Sequence, residues 1–301
     1  MSRPRTSSPA RPMWMGRPSF LVTVLKAVVL SVTVVVMLYP FLYVIAGSFA
    51  SSNARSEGSL SLIPTSFSLD AYASVLSGGI VTRALMVSIG VTVIGTLFSV
   101  TLTILMAYGL MSTKDVPGGR VILYLVLFTM LFGAGIIPNY LLVRQLGLLD
   151  TYASLILPGA ISAFNLVVVR NFFMNIPREI LDCARIDGAS EWRILSMIVV
   201  PLSKGVIAVI ALFYGVAYWN DFFNAMIYLN DTAKWPVQLV LNQYVLQGSP
   251  LTPLQNPAAP PPPADAVQMV VVVLATVPIL IVYPFIQRYF TKGVLTGAIK
   301  G

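Results

Sequence analysis

The chain has 301 residues, 57% of them hydrophobic and 10% charged, with a mean hydropathy of +0.84, which is too apolar for a water-soluble domain. Histidine is absent and Cys183 is the one cysteine, so imidazole catalysis, a His or Cys metal cage and an intrachain disulfide are excluded. The net charge of +8 fits basic loops at a membrane, because no arginine stripe with interleaved aromatics marks a nucleic-acid surface.

Arg3, Arg5, Arg11 and Arg17 precede the first apolar run. That run outlasts a signal-peptide core and has no convincing small-residue cleavage site, so it is expected to stay as a first span behind a tail of residues 1–24. A charge at the bilayer centre costs a few kcal/mol and about 20 residues cross the core, so charge-free intervals define the spans. The intervals predict an all-α membrane domain over 25–301, with six helices at about 25–48, 84–112, 121–143, 152–171, 205–228 and 266–287. The fifth contains Asp221, which at 1.5 Å per residue lies about 25 Å from Lys204, near the far edge of the bilayer core.

With the N-terminus inside, 15 of the 19 Lys and Arg residues fall on the same side, and only Arg55, Arg83, Arg144 and Lys234 lie outside. The positive-inside rule therefore places both termini in the cytoplasm and makes 172–204 a cytoplasmic segment. Two outer loops are expected, 51–79 and 230–265, the second a stiff surface excursion with prolines at 260–263. Leu76-Ser77-Gly78-Gly79 imitates the start of an ATPase signature, yet no Gly-rich loop ending in Gly-Lys-Ser or Gly-Lys-Thr is present to cradle phosphates.

Between spans four and five the residues from Asn175 to Trp192 read as a short helix, a turn and a second helix. Asn175 can cap, Pro177 suits a first turn, and Gly188 suits a left-handed stop. Ile180, Leu181, Cys183 and Ala184 are expected on one side, with Arg178, Asp182 and Arg185 opposite.

This segment resembles the "EAA" loop of permeases in binding-protein-dependent ABC importers. Asp182-Cys183-Ala184 falls on the motif's Glu-Ala-Ala, followed by Ile186-Asp187-Gly188-Ala189-Ser190 and Val200-Pro201. Ser61-Leu62-Ile63-Pro64, Phe67-Ser68-Leu69, Gly135-Ile136-Ile137-Pro138, Gly147-Leu148-Leu149-Asp150 and the ending from Gln287 to Gly301 are similar to the carbohydrate branch related to the maltose-transporter permease. The resemblance implies a type I importer permease in a bacterial inner membrane. Its partners would be a second permease, two ATPase subunits that hold ATP and magnesium, and an extracytoplasmic solute-binding protein. The cargo would be an oligosaccharide, uronate oligomers such as alginate fragments among the candidates, and this chain would carry no cofactor and no catalytic residue. In the family the loop's first helix docks on the ATPase. By that resemblance the segment 175–203 is the coupling loop, with Glu179, Ile180, Asp182, Cys183, Ala184, Asp187, Gly188 and Ala189 as coupling residues, and Cys183 as a small apolar interface residue.

Polar groups inside spans nominate a substrate pathway: Asn165, Tyr214, Tyr218, Trp219, Asn220, Asp221 and Asn224. Aromatics beside amides suit sugars, whose apolar faces stack and whose hydroxyls bond directionally. The same residues also fit an interfacial aromatic belt with helix–helix amides. A secondary sugar carrier is disfavoured by the lack of midplane ionisable groups, and a channel predicts no coupling loop.

Overall fold

The computed structural model describes residues 19–49, 67–77, 79–113, 116–247, 267–282 and 284. The basic tail, Ser61 to Pro64, Lys114, the prolines at 260–263 and the ending from Gln287 lie outside the described residues. The described chain is helical, with no strand among the described residues.

The first helix, α1 (Phe20–Ser48), begins with Ser19 Oγ accepting from the Val22 amide and buries only Ser48 within this chain. Ser48 pairs with Tyr72 of α2 (Asp70–Ser77) at 2.8 Å. Gly79, at φ 72°, then turns the chain into α3 (Ile80–Gly109), so Leu76 and Ser77 of the signature look-alike end α2 and Gly79 caps α3. Both α1 and α3 are long and apolar enough to cross a bilayer alone.

Three other predicted spans are not single helices. The interval 121–143 divides into α4 (Gly119–Leu131) and α5 (Ile136–Gln145), because Gly135 adopts φ 85° and ψ 176°, a region open to glycine alone. The interval 152–171 divides at Pro158-Gly159 into α6 (Ala153–Ile156) and α7 (Ala163–Met174), the latter opened by Ser162 Oγ accepting from the Asn165 amide. After α8 (Arg178–Ile186) comes α9 (Glu191–Leu202), which carries a π turn at Leu195–Val199 and meets α10 (Lys204–Trp219) at 84°. The fifth predicted span then breaks at 220–222 before α11 (Phe223–Tyr228).

The outer segment 230–265 is not an open excursion throughout. Part of it forms α12 (Val237–Gln247), whose Val237, Leu239 and Val240 are buried and whose first amide donates to Ser88 of α3 at 2.8 Å. The last described helix is α13 (Val267–Val282), which accepts the Trp219 indole N–H at the Ala275 carbonyl, 3.1 Å away.

The organising element is α3. Its buried residues Val81, Ala84, Ser88, Val91, Gly95, Ser99, Thr103 and Ala107 recur every three or four positions and are mostly small. Small side chains let helix backbones approach in lipid, where no hydrophobic force draws helices together. At Gly95 a Cβ would stand 2.9 Å from the Tyr218 ring of α10.

Away from the lipid-facing helices, Asp150 holds two loops together. It sits at φ 58°, and its carboxylate accepts the amides of Asn230 and Asp231 and the Lys234 ammonium at 2.8 Å. The Lys234 hydrogen bond, then the Asp231 and Asn230 amides, hold the Asp150 carboxyl below its ordinary value, and Asp150 in turn raises Lys234. A depressed carboxylate stabilises above its unfolded pKa, about 3.9, and loses that contribution as pH falls through the folded value. A raised lysine stabilises below about 10.4 and loses it as pH rises through its own folded value. The clamp is therefore expected to stay closed between those limits and to open on acidification. Protection of the Asn230 and Asp231 amides from hydrogen exchange, measured against their intrinsic rates, should fall on acidification through the lowered Asp150 value, and Asp150→Gly, which keeps the backbone but removes the carboxylate, should lower that protection at neutral pH.

Candidate coupling and translocation site

The amphipathic segment between α7 and α9 folds as the sequence predicts in its ending and differs in its beginning. Helix α8 closes with the Ala189 amide on the Ala184 carbonyl at 2.9 Å and the Gly188 amide on the Arg185 carbonyl at 3.0 Å, Gly188 standing at φ 80°. This paired 6→1 and 5→2 bonding is the Schellman stop, and it explains the spacing of Ala184, Gly188 and Ala189: both alanines pack partly against the core on either side of the turn. At the other end Pro177 occupies the cap position, and Asn175 terminates α7 instead of opening α8.

The expected apolar side of α8 is divided. Leu181 is buried and Ala184 half-buried, against Phe173, Ile194 and the Gly109 end of α3. Ile180 and Cys183 turn outward with Glu179, Asp182, Ile186 and Asp187, and Ile186 is 85% exposed. An exposed isoleucine and thiol between carboxylates form a small mixed surface on a rigidly terminated helix.

Tyr108 and Glu191, which no local spacing in the sequence brings together, tie α8 down through Arg185. Arg185 bonds Asp182 at 3.0 Å and Glu191 at 2.9 Å, and the second Glu191 oxygen accepts the hydroxyl of Tyr108 at the end of α3. The Arg185 hydrogen bond, then that of Tyr108, lowers the Glu191 carboxyl, and Glu191 raises Arg185.

The seven polar positions nominated in the spans separate into two groups. Asn165, Tyr214, Tyr218 and Trp219 are buried inside this chain. Tyr214 pairs with Thr103 at 2.8 Å and accepts the Ser162 amide at 2.9 Å, and Tyr218 pairs with Ser99 at 2.7 Å and donates to the Ile156 carbonyl. Each such bond within a membrane protein is worth about 0.6 kcal/mol; those to Thr103 and Ser99 tie α10 to α3, and the other two tie it to the start of α7 and the end of α6. Asn220 and Asn224 are exposed and Asp221 partly so, its carboxylate accepting the Asn224 amide and side chain at 3.0–3.2 Å.

Residues 12–296 match the family model described as "Binding-protein-dependent transport system inner membrane component". The chain belongs to that family. This permease is 50% identical over 264 residues to the polygalacturonan/rhamnogalacturonan transport system permease protein YtcP of Bacillus subtilis (strain 168), covering 87% of this chain and 92% of the relative. It is 48% identical over 271 residues to Protein LplC of the same organism, covering 88% and 90%. In structure the permease is similar to a chain from a bacterial ABC transporter involved in the import of the acidic polysaccharide alginate, with a TM-score of 0.84, 31% identity and coverage of 92% and 99%. It thus has the importer permease fold expected from its sequence.

Proposed function

We propose that this permease is one transmembrane half of an ATP-driven importer for uronate-containing oligosaccharides, driven by ATPase subunits that dock on α8. The observation that carries the reading is α8 itself: a helix stopped by a left-handed glycine, presenting Glu179, Ile180, Asp182, Cys183 and Asp187 outward in a member of a binding-protein-dependent family. Ala184, Gly188 and Ala189 set its geometry from behind. Nucleotide and magnesium belong to the ATPase subunits, and a second permease and an extracytoplasmic binding protein complete the assembly. The distribution of Lys and Arg supports cytoplasmic termini, a basic tail ahead of α1, which begins at Phe20 and not at 25, and a membrane domain behind it in an inner membrane.

Two similarities support an acidic sugar polymer as the source of the cargo, one to a polygalacturonan permease and one to an alginate importer. Fragments of a galacturonate polymer are the first choice, since the polygalacturonan relative is the more similar in sequence. The path runs along Asn220, Asp221 and Asn224. On the same side of α10, Phe213 and Val216 are exposed at seven and four residues before Asn220, which gives sugars an apolar face beside amides. Asn165, Tyr214, Tyr218 and Trp219 shape this path from behind without touching cargo.

The test is co-purification of the chain from its native membrane, followed by ATPase assays with binding protein and oligogalacturonates or alginate fragments. Recovery of an ATPase, with turnover stimulated by one acidic oligosaccharide, is the expected result. Because Cys183 is the one cysteine and is exposed, its maleimide labelling in membranes should slow when the ATPase is co-expressed. Purification of the chain alone, with uptake driven by an ion gradient, would replace this reading with a secondary carrier.

A further inference from the structure

We infer that Tyr108, Arg185 and Glu191 form a latch that holds α8 in register with the Gly109 end of α3. The side chains come from three separate elements: Tyr108 from the last turn of α3, Arg185 from the last turn of α8, and Glu191 from the first turn of α9. Glu191 uses both oxygens, one on each partner, so the carboxylate is a bridge between α8 and α3. A second contact steadies the same end of α3, where Arg170 of α7 donates to the Leu110 carbonyl at 2.7 Å.

The covalent route from α8 into the membrane is indirect. It passes through the π turn of α9, where one residue too many is wound into the helix, and then through an 84° bend. At that bend Ser203 is fully buried and its hydroxyl has no hydrogen-bond partner. The latch bypasses this bend and connects α8 to α3, which packs against α2, α7, α10 and α12. Displacement of α8 thus reaches the centre of the bundle through the Glu191 carboxylate as well as through the buried packing of Leu181.

The latch is an alignment device and not a source of stability. The paired side chains of Arg185 and Glu191 are 45% and 58% exposed, and exposed ion pairs contribute little to folding. The buried contacts of Leu181, Ile194 and Phe173 hold the loop in place without it. Tyr108→Phe and Glu191→Gln are therefore expected to fold and assemble.

The inference rests on the importer reading for its consequence but not for its geometry, and the experiment separates the two. Spin labels are placed on the native Cys183 and on Gly109→Cys, where a Cβ meets nothing within 4 Å, in the full chain in lipid nanodiscs. One narrow distance distribution is expected, broadening in Tyr108→Phe and Glu191→Gln. In the unlabelled complete complex, the same two variants should raise the ATP hydrolysed per oligosaccharide imported by about 2- to 30-fold, the range found for residues that couple distant sites. The pair Arg185→Glu with Glu191→Arg, which restores opposite charges across the bridge, should recover part of the loss seen with Arg185→Glu alone. Distance distributions unchanged by both Tyr108→Phe and Glu191→Gln overturn the latch whatever transport does. Broadened distances in a chain that recruits no ATPase uphold the latch and overturn the importer reading instead.

Discussion

Replacing Gly95 by leucine is expected to force α3 and α10 apart and to destabilise the protein by about 3 kcal/mol, the upper end of the cost of overpacking a filled core. The Cβ alone would lie 2.9 Å from Tyr218 Cε2 and 3.0 Å from two other ring atoms. The ring cannot swing away freely, because its hydroxyl is held by Ser99 and by the Ile156 carbonyl. Alanine at the same position tests which effect dominates: helix propensity favours it over glycine by about 1 kcal/mol, whereas the clash opposes it by about 1–3 kcal/mol. The clash is expected to win at Gly95, and Gly90→Ala, whose Cβ meets nothing within 4 Å, is expected to be neutral or stabilising. Thermal unfolding of the two variants in detergent makes the comparison. Tyr218→Phe, by untethering the ring, should relieve part of the Gly95→Ala penalty, so the double variant is less destabilised than the sum of the singles. Equal stability of the Gly95 and Gly90 alanine variants would mean that the two helices do not approach as described.

That contact was legible in the sequence only by size. Along α3 apolar residues are spread around the whole helix, so hydrophobic periodicity cannot tell its lipid side from its packed side. Ala84, Ser88, Gly95, Ser99, Thr103 and Ala107 nevertheless place small residues on one face at near-helical spacing. Charge-free intervals located where apolar helices lie, because ions are excluded from lipid wherever the chain crosses it. They could not show where those helices break. A hydropathy window averages over Gly133, Gly135, Pro158 and Gly159, although the backbone at these residues decides between one helix and two. The same averaging hid α12, an apolar run too short to span, whose buried valines pack against the rest of the chain.

For the coupling segment, the helix stop was readable because it is local: Gly188 needs only its own φ and the two alanines around it. The orientation of α8 was not, because Leu181 is drawn inward by residues from α3, α7 and α9 that no helical wheel contains. Tyr108 and Glu191 are separated by 83 residues, and only the folded chain brings them together. The pathway candidates failed to sort for a similar reason. Tyrosine hydroxyls that suit a sugar equally suit Ser99 and Thr103 on a neighbouring helix, and the packing chose the helix.

Gly188→Val is expected to abolish productive coupling while leaving insertion and the core intact. Valine at φ 80° is a backbone outlier, and leaving the left-handed region costs α8 the two hydrogen bonds that close it. The strain is about 1–3 kcal/mol, with no steric clash added, since a Cβ there meets nothing within 4 Å. A strained turn of that size will relax by fraying the last turn of α8, which loosens Arg185 from Glu191 and shifts Cys183 from its outward position. Asparagine tolerates left-handed backbone, so Gly188→Asn should retain a large part of the activity that valine loses. The measurement is import by the reconstituted complex beside capture of the ATPase on the purified chain. Valine should reduce both, and asparagine should reduce them less, with the thermal midpoints of the two variants close together. Normal import by Gly188→Val would show that the left-handed stop is dispensable, and with it the rigid helix on which the docking surface depends.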